Sequence, residues 1–290
     1  MKKNSLQVVI TGANGFVARS LRRILHEKKI NTICIARRNF RKYKLESKII
    51  LSDLSEKNLV TKLKNCDILI HLIGIGRETT KNYYNTINVE STEKIIQVCK
   101  KAKIKKIIYN SGLGVSKNST CGYFISKLNA EKIIINSGLD YTIFRPSHII
   151  GKNDLLTINL NNQIKNGSIV IPGSGKYILQ PIFVNDVAEI IHMAATSKKF
   201  SNKILDLVGS KTVTFENFVK TFIGSRSVKI KRISLEKAYY DALHNSKSRY
   251  GVNDLNIMLG SYTGNFRTLE KVSGLKLKSY KEILKSSSLP

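Results

Sequence analysis

The stretch VVITGANGFVA, residues 8–18, decides the fold of this chain. An apolar, β-branched run ends in two closely spaced glycines, Gly12 and Gly15, and a segment of helical periodicity follows. Gly12 permits a tight turn directly after a strand, and Gly15 lets a ligand approach the backbone at the start of the helix. Ala18 stands where a small residue packs that helix against the sheet. The pattern predicts a strand, turn and helix that bind the pyrophosphate of a dinucleotide.

Apolar runs alternate with helical patterns beyond this first unit. The predicted strands are residues 6–11, 31–36, 47–51, 67–73, 105–110, 141–145 and 203–208. The predicted helices are residues 15–28, 56–65, 85–102, 121–137, 155–166, 184–197 and 214–224. The strands are almost entirely apolar, as expected of strands buried on both faces. This alternation predicts an α/β protein with a Rossmann-type, doubly wound parallel sheet.

The strand rhythm ends near residue 225, which indicates the domain organisation. We predict an NAD(P)-binding Rossmann domain over residues 1–225, with a substrate-region excursion near 150–182. Residues 226–290 are predicted to form a small, mainly helical carboxy-terminal substrate lobe.

The amino-acid composition limits the kinds of binding partner that we expect for this chain. The formal net charge is +29, but most of the 49 basic residues are lysines scattered along the chain. Specific nucleic-acid readers usually carry a basic stripe with arginine and aromatic anchors, so neither nucleic-acid binding nor attraction to an anionic membrane is expected as the main role. No apolar run approaches the roughly 18–20 residues of a membrane span. We expect a cytoplasmic protein with no integral membrane segment and no signal peptide.

The four cysteines show no CxxC spacing, and the five histidines do not cluster at metal-ligand spacings. We therefore expect small buried cysteines in a reducing compartment, and no metal site.

The end of the second predicted strand indicates which dinucleotide is preferred. NAD-binding proteins usually place an acidic residue there to hold the ribose 2′-hydroxyl. Here Arg37 and Arg38 follow the strand, and no acid lies between Glu27 and Glu46. Guanidinium groups suit the 2′-phosphate of NADP, so we predict NADP(H) in preference to NAD(H), with a solvated basic loop as the alternative.

Three further strand ends offer polar or small residues. Asp53, followed by Leu54, could bond the adenine amino group or cap the helix predicted at 56–65, and both readings stay open. Gly74 follows the fourth strand and lets the backbone pass close to a cofactor. His71, within that strand, is predicted to be a core histidine and not a catalyst.

Tyr123 and Lys127 are one helical turn apart and share a face of the predicted helix. A phenol of pKa near ~10 is a poor base at neutral pH. A nearby ammonium lowers that pKa, which makes tyrosine a usable general acid/base. The spacing also arises by chance in a chain with 12 tyrosines and many lysines, but Ser111 ends the fifth predicted strand, where ligands bind in such folds. We predict Ser111, Tyr123 and Lys127 as catalytic residues.

Together these residues resemble the extended or atypical branch of the short-chain dehydrogenase/reductase superfamily, which includes NAD-dependent epimerases and dehydratases of nucleotide sugars. The resemblance covers roughly residues 6–210. Its segments are TGANGFVA (11–18, like TGxxGxxG with Ala18 as the departure), INVEST (87–92, like NVxGT), YFISK (123–127, like YxxSK), RPSHIIG (145–151, like RPxxxxG) and QPIFVNDVA (180–188, like HxxDVA with Phe183 and Asn185 as departures).

The resemblance implies a role for each site residue. Tyr123 would exchange a proton with a substrate hydroxyl or carbonyl, Lys127 would also hold the nicotinamide ribose, and Ser111 would orient the substrate oxygen. The full set of predicted cofactor-binding residues is Gly12, Asn14, Gly15, Phe16, Val17, Arg37, Arg38, Asp53, Leu54, Gly74, Asn88, Lys127 and Pro146. The expected activity is that of an NAD(P)-dependent oxidoreductase, epimerase or dehydratase acting on a nucleotide sugar or another carbonyl or hydroxyl compound. Members of the superfamily commonly dimerise through the helices that correspond to 85–102 and 121–137, so a homodimer is an expectation.

A second group is also similar: the nucleotide-binding accessory subunit of respiratory complex I and its bacterial and plastid relatives. The similar phrases are HLIG (71–74), SGLG (111–114), PGSG (172–175) and QP (180–181). In that group the cofactor can be structural and the YxxxK pair is often degraded. The intact pair here favours an enzyme, and a non-catalytic NADP(H)-binding accessory or assembly factor is the alternative. The short substrate region and the lack of an arginine cluster over 150–200 disfavour a full sugar-nucleotide site, although Lys152, Lys165 and Lys176 could substitute.

Overall fold

The computed structural model describes residues 6–285, except residues 52, 246, 247 and 249. Its strands are β1 (Gln7–Thr11), β2 (Asn31–Ala36), β3 (Glu46–Ile50), β4 (Ile68–His71), β5 (Lys106–Asn110), β6 (Asp140–Pro146), β7 (Ile149–Ile150), β8 (Ser168–Pro172), β9 (Ile178–Leu179), β10 (Ile182–Phe183), β11 (Lys203–Leu207), β12 (Val213–Thr214) and β13 (Lys229–Ile233). Its helices are α1 (Phe16–Glu27), α2 (Glu56–Leu59), α3 (Ser91–Ala102), α4 (Gly122–Ile135), α5 (Leu155–Lys165), α6 (Val184–Thr196), α7 (Phe215–Ile223), α8 (Leu235–His244), α9 (Val252–Leu259), α10 (Phe266–Ser273) and α11 (Tyr280–Lys285).

Seven parallel strands form the central sheet in the order β3-β2-β1-β4-β5-β6-β11. The order reverses between β1 and β4, which pair in register from Val8 with Ile68 to Thr11 with His71. In open α/β sheets, ligands bind at such a reversal, beyond the carboxyl ends of the strands. The predicted α/β fold with a Rossmann-type, doubly wound parallel sheet is confirmed, and each predicted sheet strand ends within two residues of its observed bounds.

Helices cover both faces of the sheet because its strands alternate between two cores. In β1, Val8 and Ile10 belong to the core under α1 and α6, whereas Val9 belongs to the core under α3 and α4. All three side chains are fully buried. This two-sided burial explains why the strand sequences are nearly solid apolar runs.

Two predicted helices differ from the observed ones. The predicted helix 56–65 is interrupted, and consists of α2 and a separate 3₁₀ turn at Thr61–Leu63. The predicted helix 85–102 begins with a π-helical segment, Asn85–Glu90, before α3. Such segments often occur at functional sites, and this one carries Asn88.

A second core lies beside the sheet. It gathers α5, α7, α8, α9 and α11 with the short strand pairs β7–β10, β9–β12 and β8–β13. The predicted strands end at residue 208, and the structure adds β13 beyond residue 225, where it pairs with β8 along its whole length. β13 is an edge strand with the sequence KIKRI. Its two isoleucines pack on the second core, and its basic residues are exposed. The domain boundary at residue 225 stays a prediction, and the second core contains residues from both sides of it.

Cys34, Cys66 and Cys99 are buried as expected, Cys121 is half-buried, and all four are free thiols. Within the described part of the chain, no helix is long and apolar enough to cross a membrane.

Candidate active site and dinucleotide cavity

A cavity of about 550 Å³, which we call the dinucleotide cavity after the ligand expected there, opens where the sheet order reverses, beyond the ends of β1 and β4. Most of the predicted cofactor-binding residues line it. They are Gly12, Asn14, Gly15, Arg37, Arg38, Asp53, Leu54 and Gly74. These residues come from the ends of four neighbouring strands, so the parallel sheet brings them together.

The glycine turn forms one wall of this cavity. Gly12 has a φ of +69°, and a Cβ there would lie 3.0 Å from the backbone carbonyl carbon and oxygen of Leu72. Gly15 N donates to Gly12 O at 2.8 Å, and α1 begins at the next residue with no side-chain cap. A side chain at Gly12 would therefore push the turn away from β4. The bare helix start offers backbone N–H groups and the positive dipole end to an anion.

Arg37 and Arg38 are exposed beyond the end of β2 and line the same cavity as Asp53. Asp53 Oδ1 accepts a hydrogen bond from Ser55 N at 2.5 Å, and this bond holds the pKa of the carboxyl below its usual value. Asp53 thus stabilises the turn before α2, but it accepts no bond from an N–H of that helix among the contacts described, so its role as a helix cap stays a prediction. Its contact with adenine stays a prediction.

Gly74 lies above Lys127 and Asn88. A Cβ at Gly74 would lie 2.9 Å from Lys127 Nζ and 3.3 Å from Asn88 Oδ1. Asn88 Oδ1 accepts from Ile75 N at 2.9 Å, and Asn88 Nδ2 donates to Ser126 Oγ at 3.0 Å. The fully buried Asn88 therefore holds the loop after β4 against α4. Its side chain does not line the cavity.

Five predicted cofactor-binding residues lie outside the lining of this cavity, and two of them, Asn88 and Lys127, are buried beside Gly74. Phe16 packs against the second core, Val17 packs against the main core, and Pro146 lines a second cavity. Their roles at the cofactor stay predictions.

The second cavity, of about 680 Å³, adjoins the first across the loop after β4, since Gly74 lines one and Gly76 the other. Tyr123 lines it, and the Tyr123 hydroxyl would lie 3.0 Å from a Cβ placed on Gly112. Glycine at 112 therefore makes room for the phenol next to Ser111. We refer to this space as the substrate cavity.

Ser111 is 3% exposed, and no described residue hydrogen-bonds its Oγ. Asn110 Oδ1 is also buried and accepts no hydrogen bond from a described residue. Leaving a buried polar atom unpaired costs about 1–3 kcal/mol, so such atoms usually indicate a ligand position or a functional role. Ser111 itself does not line the substrate cavity, but its neighbour Gly112 does, so its contact with a substrate oxygen stays a prediction.

Lys127 is buried under Gly74. Its Nζ donates to Asn110 O at 3.0 Å and to the Tyr109 hydroxyl at 3.2 Å. Burial lowers the pKa of Lys127 to about 8, against the opposing effect of Glu131.

The prediction that Lys127 lowers the pKa of Tyr123 is not met in this arrangement. Lys127 Nζ is 6.0 Å from the centre of the Tyr123 ring and is directed at Asn110 and Tyr109. Desolvation, with a smaller effect of Cys121, raises the pKa of Tyr123 to about 12. The phenol is thus protonated at neutral pH, and in this arrangement it is a weaker acid than an ordinary tyrosine, whose pKa lies nearer the working pH.

His71 is fully buried, and its Nδ1 lies 2.7 Å from Thr11 Oγ1. Desolvation lowers the pKa of His71 to about 3, so the imidazole is neutral. This placement agrees with the prediction of a core histidine.

Sequence reasoning missed several residues of the site. Tyr109 and the Asn110 carbonyl hold Lys127, and their position directly before Ser111 was the available signal. Arg77, His148 and Asp254 line the substrate cavity from three distant loops and helices, and no local pattern joins them.

The structure is a Rossmann-type α/β fold with two adjoining cavities at the carboxyl ends of its parallel strands. The chain belongs to the NAD dependent epimerase/dehydratase family, whose model matches residues 8–207. The resemblance predicted from the motifs is thereby confirmed.

Relatives of both predicted kinds are similar to this chain. The "Uncharacterized sugar epimerase YhfK" of Bacillus subtilis is 24% identical over 226 residues, which are 74% of this chain and 100% of that protein. The "NADH-ubiquinone oxidoreductase 40 kDa subunit, mitochondrial" of Neurospora crassa is 24% identical over 173 residues, 58% of this chain and 44% of that subunit. The chain therefore spans less than half of the complex I subunit.

A solved structure shares the fold over nearly the whole chain. MoeE5 in complex with UDP-glucuronic acid and NAD superimposes with a TM-score of 0.76 at 19% identity, covering 96% of each chain.

Proposed function

We propose that the protein is an NAD(P)-dependent oxidoreductase or epimerase/dehydratase in which Tyr123 exchanges a proton with a small-molecule substrate. The observation that carries this proposal is the meeting of the two cavities at one place. The protonated Tyr123 phenol lines the substrate cavity, and the buried Lys127 lies under Gly74, which lines the dinucleotide cavity. An enzyme that couples a cofactor to a proton donor needs this adjacency.

The residues fit a dinucleotide. Gly12 and Gly15 would admit its pyrophosphate to the backbone, Arg37 and Arg38 would face the 2′-phosphate of NADP, and Lys127 would hold the nicotinamide ribose. When bound, the nicotinamide supplies a hydride donor or acceptor. Tyr123 would give its proton to a substrate carbonyl oxygen, or take one from a hydroxyl in the reverse direction, while Ser111 Oγ orients that oxygen.

A screen of carbonyl and hydroxyl compounds, nucleotide sugars included, tests this proposal with NADPH, NADH and their oxidised forms. Cofactor oxidation or reduction reports redox turnover, and product chromatography reports epimerisation or dehydration. We expect turnover of at least one compound class. Tight cofactor binding without turnover across the panel would contradict an enzyme.

The second candidate is a non-catalytic, cofactor-binding accessory or assembly factor of a larger complex. The similarity to the complex I subunit over 58% of the chain favours it. In that case the protein would co-purify with a large complex from its source cells, and Tyr123→Phe would not alter this association.

Cofactor preference provides a separate test. We expect the double variant Arg37→Ser/Arg38→Ser to weaken NADPH binding by about 10- to 100-fold, the value of one lost charge-assisted contact to phosphate. NADH binding should change little, because NADH lacks the 2′-phosphate. Fluorescence titration measures both, and Arg41→Ser, which removes an exposed arginine outside the cavity lining, is the matched control. Equal losses for NADPH and NADH would contradict the assignment.

The pKa of Lys127 predicts a pH dependence. Because its pKa is about 8, raising the pH through 8 removes the charge of Lys127. We expect kcat/KM of the cofactor reaction to fall on the alkaline side of this pKa. In Lys127→Arg that limb should disappear, since arginine keeps its charge, and an unchanged profile would contradict the role of Lys127.

The proposal includes a cytoplasmic location and a homodimer. Cell fractionation and light scattering of the purified protein test these two statements.

A further inference from the structure

The charge of the substrate cavity is the first observation. Among the described residues that line it, the one cationic side chain is Arg77, and Arg77 forms an ion pair with Asp254, which lines the same cavity. His148 also lines it, and desolvation lowers the pKa of His148 to about 4, so this ring is neutral. The described lining therefore offers an anion no cation that is not already paired.

The second observation is the apolar character of the wall. Most of the lining side chains are aliphatic, aromatic or thioether groups, such as Leu113, Phe124, Ile257 and Met258. Transfer of hydrocarbon from water to such a wall is favourable, whereas burying a charge without a partner is costly.

Two exposed aliphatic side chains lie at the mouth of the cavity. Leu155 and Ile158 lie three positions apart on α5 and both line the cavity, yet they are 86% and 37% exposed. Residues that line a cavity and also face solvent lie at its opening. Two exposed aliphatic side chains there extend the apolar wall outward from Tyr123.

We infer that the substrate cavity takes an uncharged carbonyl compound or alcohol with a hydrocarbon body, and not a nucleoside diphosphate compound. The oxygen would lie at Tyr123, and the hydrocarbon would run along Ile257 and Met258 to leave between Leu155 and Ile158. A diphosphate in the same place would lie near the carboxylate of Asp254, and Arg77, the one cation of the described lining, is already shared with that carboxylate in a partly exposed ion pair. This inference rests on the proposed function of the site.

Calorimetric titration of the NADP⁺-loaded protein tests the inference, because the oxidised cofactor blocks the dinucleotide cavity and cannot reduce a ketone. The ligands are 2-alkanones of increasing chain length, and UDP. We expect ketone affinity to rise about three- to fourfold per methylene while the chain remains inside, and UDP to show no saturable binding. Ketone affinity independent of chain length, or saturable UDP binding in competition with ketones, would overturn the inference.

Variants at the mouth locate the hydrocarbon. Leu155→Ser/Ile158→Ser should remove the affinity gain of the longest ketones and leave the short ones unchanged. Leu243→Ser is the matched control, because Leu243 is 68% exposed on α8 and lies outside the lining. An equal effect of the control variant would contradict the assigned path.

Asp254→Asn tests the charge argument by gain of binding. The amide frees Arg77, so UDP should bind with a gain of at least about tenfold, while ketone affinity stays within about twofold. Asp254 also accepts a bond from Gly251 N at the start of α9, so thermal unfolding checks that the variant is folded. UDP binding by the wild type that is lost in Arg77→Gln would overturn the inference. Such a result would leave the proposed function intact, whereas failure to load either NADP⁺ or NAD⁺ would contradict the proposed function itself.

Discussion

Replacing Tyr123 with phenylalanine is expected to lower kcat by roughly 10²- to 10⁴-fold, the usual contribution of a positioned acid/base group. The ring remains, so its packing beside Gly112 and Phe124 is kept. Only the hydroxyl, whose proton is the one to be exchanged, is removed. NADPH affinity should change less than about twofold, because Tyr123 lines the substrate cavity and not the dinucleotide cavity.

Steady-state kinetics with a substrate from the screen, beside a fluorescence titration with NADPH, measures both quantities. Tyr240→Phe is the matched control, since Tyr240 is 59% exposed on α8 and lies outside both cavities. Turnover within severalfold of the wild type in Tyr123→Phe would contradict the role of Tyr123. A parallel loss of NADPH binding would indicate a structural effect instead.

Replacing Glu46 with glutamine is expected to lower the free energy of unfolding by about 3–5 kcal/mol, as when one partner of a buried ion pair is removed. Arg22 and Glu46 are buried and bidentate, with Nε to Oε1 at 2.8 Å and Nη2 to Oε2 at 2.7 Å. Arg22 also donates to Ala13 O at 3.4 Å, so the pair lies under the glycine turn. Glutamine keeps the shape of the side chain but leaves a buried guanidinium without its counter-charge.

Urea denaturation of the two proteins measures this loss. Glu27→Gln is the matched control, because its ion pair with Arg23 is exposed and such pairs contribute about 0–1 kcal/mol. A loss in Glu46→Gln no larger than that of the control would contradict a stabilising role for the buried pair.

The stabilisation that the Arg22–Glu46 pair contributes is expected to be lost at low pH. Hydrogen bonds from Arg22 and Tyr43 hold the pKa of Glu46 below its usual value, although burial opposes them. The stabilisation is therefore present above the unfolded pKa of about 4.3 and is lost as the pH falls through the lower folded pKa.

The parts of the fold that the sequence predicted well are those in which one physical signal dominates. The central strands β1, β4 and β5 are buried on both faces, so their apolar runs end where burial ends. β13 was missed because a short edge strand with three exposed basic residues among its five lacks this signal. The π-helical segment before α3 contains Asn88, whose hydrogen bonds to Ile75 and Ser126 join it to distant parts of the chain, and local periodicity does not predict such contacts.

The site was predictable only where motifs are local. The glycine turn, Ser111 and the Tyr123–Lys127 spacing all lie on single elements. The pKa of Tyr123 was not predictable, because desolvation by the surrounding residues outweighs a lysine that is directed elsewhere. The ion pair of Arg77 with Asp254 joins residues far apart in the chain and emerges only in the folded structure.

A fluorescence titration of the purified wild-type protein with NADPH and NADH, at moderate salt, tests the central claim most directly. The account predicts saturable binding of both, with NADPH bound more tightly because Arg37 and Arg38 line the dinucleotide cavity. No binding of either dinucleotide would contradict the account, because the proposed roles of Tyr123 and Lys127 require a bound nicotinamide cofactor.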